Sequence, residues 1–158
     1  MNPAPFCLIG IVNVTPDSFS DGGKYIDPRN AVAHGLRLLD EGAGMLDLGA
    51  ESTRPFAEPV PEVEEIARLM PVVARLREQR PDAVLSVDTL KAGTARAALD
   101  GGADIINDVS ACRADPALLD VLAEYKPGDV LMHSQGSPRE MQVNPRYGNV
   151  VEEILAFL

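Results

Sequence analysis

Positive charge is scarce in this sequence: 14 Lys and Arg stand against 24 Asp and Glu, a formal net charge of −10 over 158 residues. A nucleic-acid platform needs a basic stripe to displace phosphate counterions, so that class is disfavoured, although a few local Arg or Lys residues suffice to hold a small anion. Cysteine is nearly absent. Cys7 and Cys112 lie far apart and neither has a second metal ligand at zinc spacing, which argues against a disulfide framework or a zinc module. Long apolar runs are missing too, since none reaches the ~18 residues of a membrane span. Met1 to Phe6 shows no basic stretch followed by an apolar core and a small-residue cleavage site, so a soluble, cytoplasmic protein is expected. Aromatic residues make up only 4%, yet 46% of the chain is hydrophobic and 24% charged, the balance of one ordinary globular domain and not of a disordered chain.

Five short apolar runs recur, at Leu8 to Val14, Met45 to Ala50, Ala83 to Val87, Ile105 to Val109 and Val130 to His133. Each is close to strand length and nearly continuous in hydrophobicity, the pattern of strands buried on both faces of a parallel sheet. Helical segments lie between them. Asp27-Pro28 and Asp115-Pro116 pair an N-cap acceptor with proline at the first helical position, where its missing N–H costs nothing. Val32, Gly35, Leu36 and Leu39 form one stripe in the first helix, and Gly42 suits the residue just past its end. The second helix runs from about Glu62 to Glu78, with Glu62, Glu64 and Glu65 at its start and Arg75 and Arg77 at its end, as the helix dipole favours; Pro71 is expected to kink it. Helices near Ala92 to Leu99, Pro116 to Tyr125 and Val150 to Leu158 follow. A local echo links Gly42-Ala43-Gly44-Met45-Leu46-Asp47 with Gly102-Ala103-Asp104-Ile105-Ile106-Asn107, a helix end feeding a strand that carries a polar residue. Strand and helix alternate, the grammar of an α/β protein. A doubly wound sheet fits five strands, whereas a closed (β/α)8 barrel usually takes about 250 residues; periodicity does not choose.

Polar residues collect at the C-terminal ends of the strands: Asn13, Glu51, Asp88 with Thr89, Asn107 with Asp108, and His133. Ligands bind at that edge of parallel α/β folds. Two connections stand out. The stretch from Asn13 to Lys24 contains Ser18, Phe19 and Asp21-Gly22-Gly23 and far exceeds the roughly two to six residues usual for such a loop; loops of this kind act as lids or ligand clamps. The segment Glu51-Ser52-Thr53-Arg54-Pro55-Phe56 offers a hydroxyl and a guanidinium suited to an oxyanion such as diphosphate or carboxylate. Other polar groups read as ordinary surface: Lys24, Lys91 and Arg113 as solvated, Glu62, Glu64 and Glu65 as a solvated helix face, His34 as a surface histidine. Asp47, in mid-strand, reads as structural support before ligand, and His133 as packing beneath a pocket or as a ligand.

The runs Asn13-Val14-Thr15-Pro16-Asp17-Ser18-Phe19-Ser20-Asp21-Gly22-Gly23, Glu51-Ser52-Thr53-Arg54-Pro55, Ser86-Val87-Asp88-Thr89, Ile106-Asn107-Asp108 and Leu131-Met132-His133 together resemble the dihydropteroate synthase family of pterin-binding enzymes. The first two are long and specific, and the shorter ones fall in the family's order and spacing along the whole chain. The resemblance implies a (β/α)8 TIM barrel that joins 4-aminobenzoate to 6-hydroxymethyl-7,8-dihydropterin diphosphate and releases diphosphate in folate biosynthesis, assisted by Mg2+. By the same resemblance Asp88 and Asn107 match the pterin ligands, Asn13 the residue that meets Mg2+ and diphosphate, and Thr53 and Arg54 the contacts to diphosphate and the aminobenzoate region. Phe19 and Pro55 would wall the aminobenzoate ring, Ser18, Phe19 and Pro55 would discriminate sulfonamides, and Met132 would form pocket floor or core. No protein nucleophile is required.

Ala50 and Phe56 stand where the family very often has glycine. The family's later Asp-Pro-Gly, Gly-Phe-Gly-Lys and Arg-x-His motifs are not among these residues, so the expectation is about five βα units, an incomplete barrel corresponding to the N-terminal five-eighths, with low activity on its own. The family is commonly homodimeric, which is expected here of a full-length protein. Two other readings stay open: a pterin-binding methyltransferase module, against which the first two loops speak, and a non-catalytic pterin-binding fragment.

Overall fold

The structure, a computed structural model, describes residues 6–15, 27–51, 59–135 and 144–158. Strand and helix alternate through them: β1 (Ile9–Asn13), α1 (Pro28–Asp40), β2 (Met45–Gly49), α2 (Glu62–Gln79), β3 (Val84–Asp88), α3 (Ala92–Asp100), β4 (Ile105–Asp108), α4 (Leu118–Tyr125), β5 (Gly128–Leu131) and α5 (Val150–Phe157). The strands form one parallel sheet in the order β1-β2-β3-β4-β5. Every crossover therefore steps to the next strand in the same direction. A doubly wound sheet reverses its order at a switch point, so the sequential order decides for successive units of a (β/α)8 barrel.

Local chemistry explains the element ends. The Asp27 carboxylate accepts from the Arg29 N–H at 2.9 Å, and Pro28 opens α1. At the other end the Ala43 N–H reaches back to the Leu38 carbonyl and the Gly42 N–H to Leu39, at 2.9 and 3.1 Å; α3 ends alike, with Ala103 on Ala98 and Gly102 on Leu99, at 2.9 and 3.0 Å. Both glycines have positive φ, 109° and 94°, as this C-terminal cap requires. The sequence echo is thus one helix-to-strand turn used twice. Arg77 closes α2 through carbonyls, donating to Gly102, Pro81 and Ala83, and pairs with Asp104. α2 continues on both sides of Pro71.

Two boundaries differ from the sequence reading. The last strand is Gly128–Leu131 instead of the apolar run Val130 to His133, because pairing with β4 sets it: the Gly128 N–H bonds the Asp104 carbonyl at 2.9 Å and the Met132 N–H bonds Asp108 at 3.2 Å. α4 begins at Leu118, two residues past Pro116. Asp115 is therefore not its N-cap, which is Ala117; its carboxylate accepts from the Ala117 N–H at 3.1 Å and, through the second oxygen, from the Ala92 N–H at 2.8 Å, so it ties the residue before α4 to the start of α3.

The core lies between the sheet and the helices. Val12, Leu46, Leu48, Leu85, Val87 and Ile106 are fully buried against Val32, Leu69, Val72, Val73, Leu76, Ala95, Ala98 and Leu118 from α1 to α4, with each helix packed beside the next. Close approach depends on glycine at Gly35, where a Cβ would stand 3.0 Å from Leu46 Cδ1. The opposite face carries Ile9, Ile11, Val84 and Val130, all exposed, Ile11 to 62%. That face is the inner one of a barrel. No helix among the described residues is long and apolar enough to cross a membrane.

Candidate functional site

Parallel pairing without bulges sets side chains of equal register on one face. At the C-terminal edge, Asn13 pairs with Gly49, Gly49 with Asp88, Asp88 with Asn107 and Asn107 with Val130. This row faces away from the helices. The row beneath it reads Ile11, Asp47, Ser86, Ile105 and Gly128. Gly49 leaves space within the upper row: a Cβ there would stand 3.7 Å from Asp88 Cβ and Oδ2, so its absence keeps the flank of Asp88 open. Of the residues proposed for ligands by sequence, the fold brings Asn13, Asp88 and Asn107 into this one row.

The polar groups of the two rows are joined. Ser86 Oγ donates to Asp47 Oδ1 at 2.6 Å, and Asn107 Nδ2 donates to Asp47 Oδ2 at 3.1 Å. An ionised carboxylate only accepts, so the Asn107 amide nitrogen is the end turned down toward Asp47, and the Oδ1 acceptor is left for the site. Asp88 is different. No described residue hydrogen-bonds its carboxylate; burial, reinforced by the negative charges of Asp47, Glu65, Asp108 and Glu51, raises its pKa to about 7. A carboxyl group at that value can accept from, or donate to, a heterocycle near neutral pH.

Next to the end of β2 lies a charged cluster that the sequence reading missed. Lys91 pairs with Glu51 and, at 2.8 Å, with Glu65, which is 1% exposed and also accepts from Thr94 Oγ1 at 3.0 Å. Burial opposes charge on Lys91, yet the hydrogen bonds of Glu51 and Glu65 outweigh it and hold its pKa above the usual value. Lys91 is therefore not a solvated lysine, and Glu65 is not part of a solvated helix face. The signal for Glu65 was present: with Leu69, Val72, Val73 and Leu76 it falls on the buried stripe of α2. Arg68, paired with Glu64, donates to the Ala50 carbonyl at 3.0 Å, so α2 grips the end of β2 just before Glu51.

The β4 end is fastened by Asp108, fully buried on the helix side. Its carboxylate accepts from Ser110 N–H and Oγ, both at 2.7 Å, and from the Cys112 N–H, holding Ala111 and Cys112 at positive φ of 49° and 60°. Burial first, then Asp108, pushes the Cys112 thiol up to about 11, which leaves it protonated and poorly nucleophilic. Beyond β5, Met132 is half-buried. His133 packs edge-on against Phe157 with centroids 4.6 Å apart and lies 5.6 Å from the Tyr147 ring; the packing reading of this histidine is the one its surroundings match. Arg113, taken from sequence as solvated, lies over the Phe157 ring at 3.7 Å and donates to the Phe157 carbonyl at 3.2 Å. Ser18, Phe19, Lys24, Thr53, Arg54, Pro55 and Phe56 lie outside the described residues.

Among the described residues no group of three or more His, Cys, Asp or Glu could hold a metal ion. A dedicated protein cage is therefore not formed by them. The exposed carboxamide of Asn13 does fit a hard cation of the magnesium type, which keeps most of its waters and takes one or two protein oxygens beside those of a phosphorylated ligand.

Comparison with known proteins gives a consistent set of matches. A family model described as pterin binding enzyme matches residues 9–158. The dihydropteroate synthase of Mycobacterium leprae (strain TN) is 47% identical over 159 residues, covering 100% of this chain and 55% of that protein. Among solved structures, the Xanthomonas albilineans dihydropteroate synthase with 4-aminobenzoic acid shares 50% identity at a TM-score of 0.83, covering 96% of this chain and 52% of that one. The Yersinia pestis dihydropteroate synthase in a sulfonamide drug complex shares 44% at a TM-score of 0.84, covering 96% and 54%. The chain spans about half the length of the curated relatives it matches.

Proposed function

The chain belongs to the pterin-binding enzyme family, and from that premise we propose that residues 1–158 supply the pterin-binding part of a dihydropteroate synthase, which condenses 4-aminobenzoate with (7,8-dihydropterin-6-yl)methyl diphosphate. The observation that carries the reading is the row Asn13, Gly49, Asp88 and Asn107 at the C-terminal edge of the sheet. Asp88 and Asn107 offer adjacent acceptors to the N–H groups of the flat heterocycle, and Gly49 leaves room for it. Such convergent polar groups in a concave site fix the plane and direction of a ligand.

In the reaction the bond between the pterin methylene carbon and the diphosphate oxygen breaks, and the electron pair leaves with diphosphate. The amine nitrogen of 4-aminobenzoate then bonds to that carbon and loses a proton. Conjugation with the pterin spreads the positive charge that builds on the methylene, so the chain's task is to hold the ring, steady the leaving group and exclude water. Mg2+, when bound, supplies charge stabilisation to diphosphate, and Asn13 is the residue of the row that would hold it through an amide oxygen. Thr53 and Arg54 would bind the diphosphate and aminobenzoate side. Phe19 and Pro55 would wall the aminobenzoate ring, Ser18 beside them would help to discriminate sulfonamides, and Met132 would floor the pterin pocket. A cytoplasmic, homodimeric full-length enzyme accords with this reading.

The test is calorimetric titration of the chain with 6-hydroxymethylpterin, followed by an assay for dihydropteroate with both substrates. Binding is expected, weakened at least about ten-fold by Asp88→Asn through loss of a charged hydrogen-bond partner, with turnover by the 158-residue chain far below ordinary enzyme rates. Pterin binding indifferent to Asp88→Asn would sink the assignment.

A further inference from the structure

Asp47 is in mid-strand, one row below the site, yet it is the residue from which the Asn107 carboxamide hangs. Asn107 is on β4 and Asp47 on β2, with β3 between them; the 3.1 Å hydrogen bond thus spans two strands, passing beside Ser86, whose hydroxyl holds the other carboxylate oxygen at 2.6 Å. Ser86 is buried and Asp47 and Asn107 are half-buried, so water is partly excluded from this anchor. With both oxygens engaged, the Asp47 carboxylate has one orientation, and it accepts only the nitrogen end of Asn107.

The geometry points to Asp47 as a positioning residue that locks the Asn107 carboxamide with its carbonyl oxygen toward the ligand, so that the site selects a heterocycle edge bearing an amino group over one bearing a carbonyl at the same place. The inference rests on the pterin-binding reading for its ligand, and on the contacts of this chain for its geometry. An asparagine free to flip would present N–H or C=O with little preference. Held as it is, Asn107 offers an acceptor beside Asp88, and two acceptors side by side call for two donors on the ligand. A 2-aminopyrimidinone ring edge meets that demand. A 2-oxo edge sets a carbonyl against the fixed carbonyl and leaves both unpaired, the arrangement by which buried polar sites discriminate most sharply.

The test uses the whole chain and two probes, 6-hydroxymethylpterin and the corresponding 2-oxo compound, a lumazine. In the ligand-free chain, the Asn107 side-chain amide should show one proton protected from exchange, by NMR. Asp47→Asn puts a second amide opposite Asn107; that protection should vanish, and the preference for pterin over lumazine should fall about ten-fold. Should Asp47→Asn fail to fold, Ser86→Ala, which frees one oxygen of Asp47, is read by the same two measurements and should move both in the same direction. An Asn107 amide that exchanges freely in the unsubstituted chain, or a preference that survives substitution, overturns the inference. Absence of pterin binding by the unsubstituted chain would instead overturn the functional reading, because the exchange measurement needs no ligand.

Discussion

At Asp88 the demands of the site and of the fold pull in opposite directions. Its half-buried carboxyl is raised to a pKa of about 7 from the ordinary 3.8, first by loss of water and then by the negative charges of Asp47, Glu65, Asp108 and Glu51. Because the folded value is raised, the folded chain holds a proton that the unfolded chain has already released between these limits. The stability of the neutral form is fully present below about pH 4, declines as pH rises through 7, and is level above. Asp88→Asn removes this penalty. The variant should unfold several degrees higher than the unsubstituted chain at pH 8 and equally at pH 4, the scale that ~1 kcal/mol or more sets for a chain of this size; thermal unfolding followed by circular dichroism at the two pH values reads it, and an offset independent of pH would contradict the assignment. The same substitution should cost pterin affinity, the trade expected where a site is less stable than its surroundings allow. Sequence position marked Asp88 and Asn107 as strand-end polar residues and Asp47 as structural support, but that Asp47 and Ser86 hold Asn107 is seen only once the register sets the two rows one above the other.

The cluster of Lys91 with Glu51 and Glu65 belongs to the scale of elements, since it joins the end of β2, the first turn of α2 and the residue before α3. Removing the cation leaves Glu65 buried with a hydroxyl as its remaining partner. Lys91→Met is expected to destabilise by about 2–3 kcal/mol, below the full value for a broken buried pair because the lysine side chain keeps 23% of its surface in water. Chemical denaturation measures the loss. Adding Glu65→Gln to Lys91→Met should return part of it, so a double-mutant cycle with purely additive losses would argue against the pairing. Composition hid this cluster: glutamates at a helix start usually serve the dipole, and Glu62 and Glu64 are indeed exposed. Glu65 differs only by its place on the buried stripe, and its cation comes from the far side of β3.

At the scale of the whole molecule, the described helices cover one face of the sheet, and the other carries exposed apolar side chains. Ile9 and Ile11 are 53% and 62% exposed, and among the described residues β1 pairs only with β2 and β5 only with β4. An exposed apolar sheet face with unpaired edges is a site of association. The isolated 158-residue chain should therefore bind a hydrophobic dye and elute at a size that grows with concentration. Ile11→Lys should reduce both effects while leaving far-UV circular dichroism unchanged, because Ile11 points away from the helix-packed core. Size exclusion at two concentrations decides, and a chain that stays monomeric without the substitution would refute the expectation.

The sequence by itself determined the alternation of strands and helices, the helix caps at Asp27 and Gly42, and the positions where polar residues end the strands, since these follow from side-chain polarity and backbone preference within a few residues. Motifs of that local kind also carried the family resemblance. Only the tertiary structure decided the sequential strand order, the start of β5 at Gly128, and the partners of Asp47, Lys91, Glu65 and Arg113. Each of these depends on which segments come to lie side by side: pairing with β4 places β5 against its own hydrophobic pattern, and a carboxylate becomes an anchor or a buried charge according to what packs over it. Periodicity records which face of an element is buried, and not what buries it.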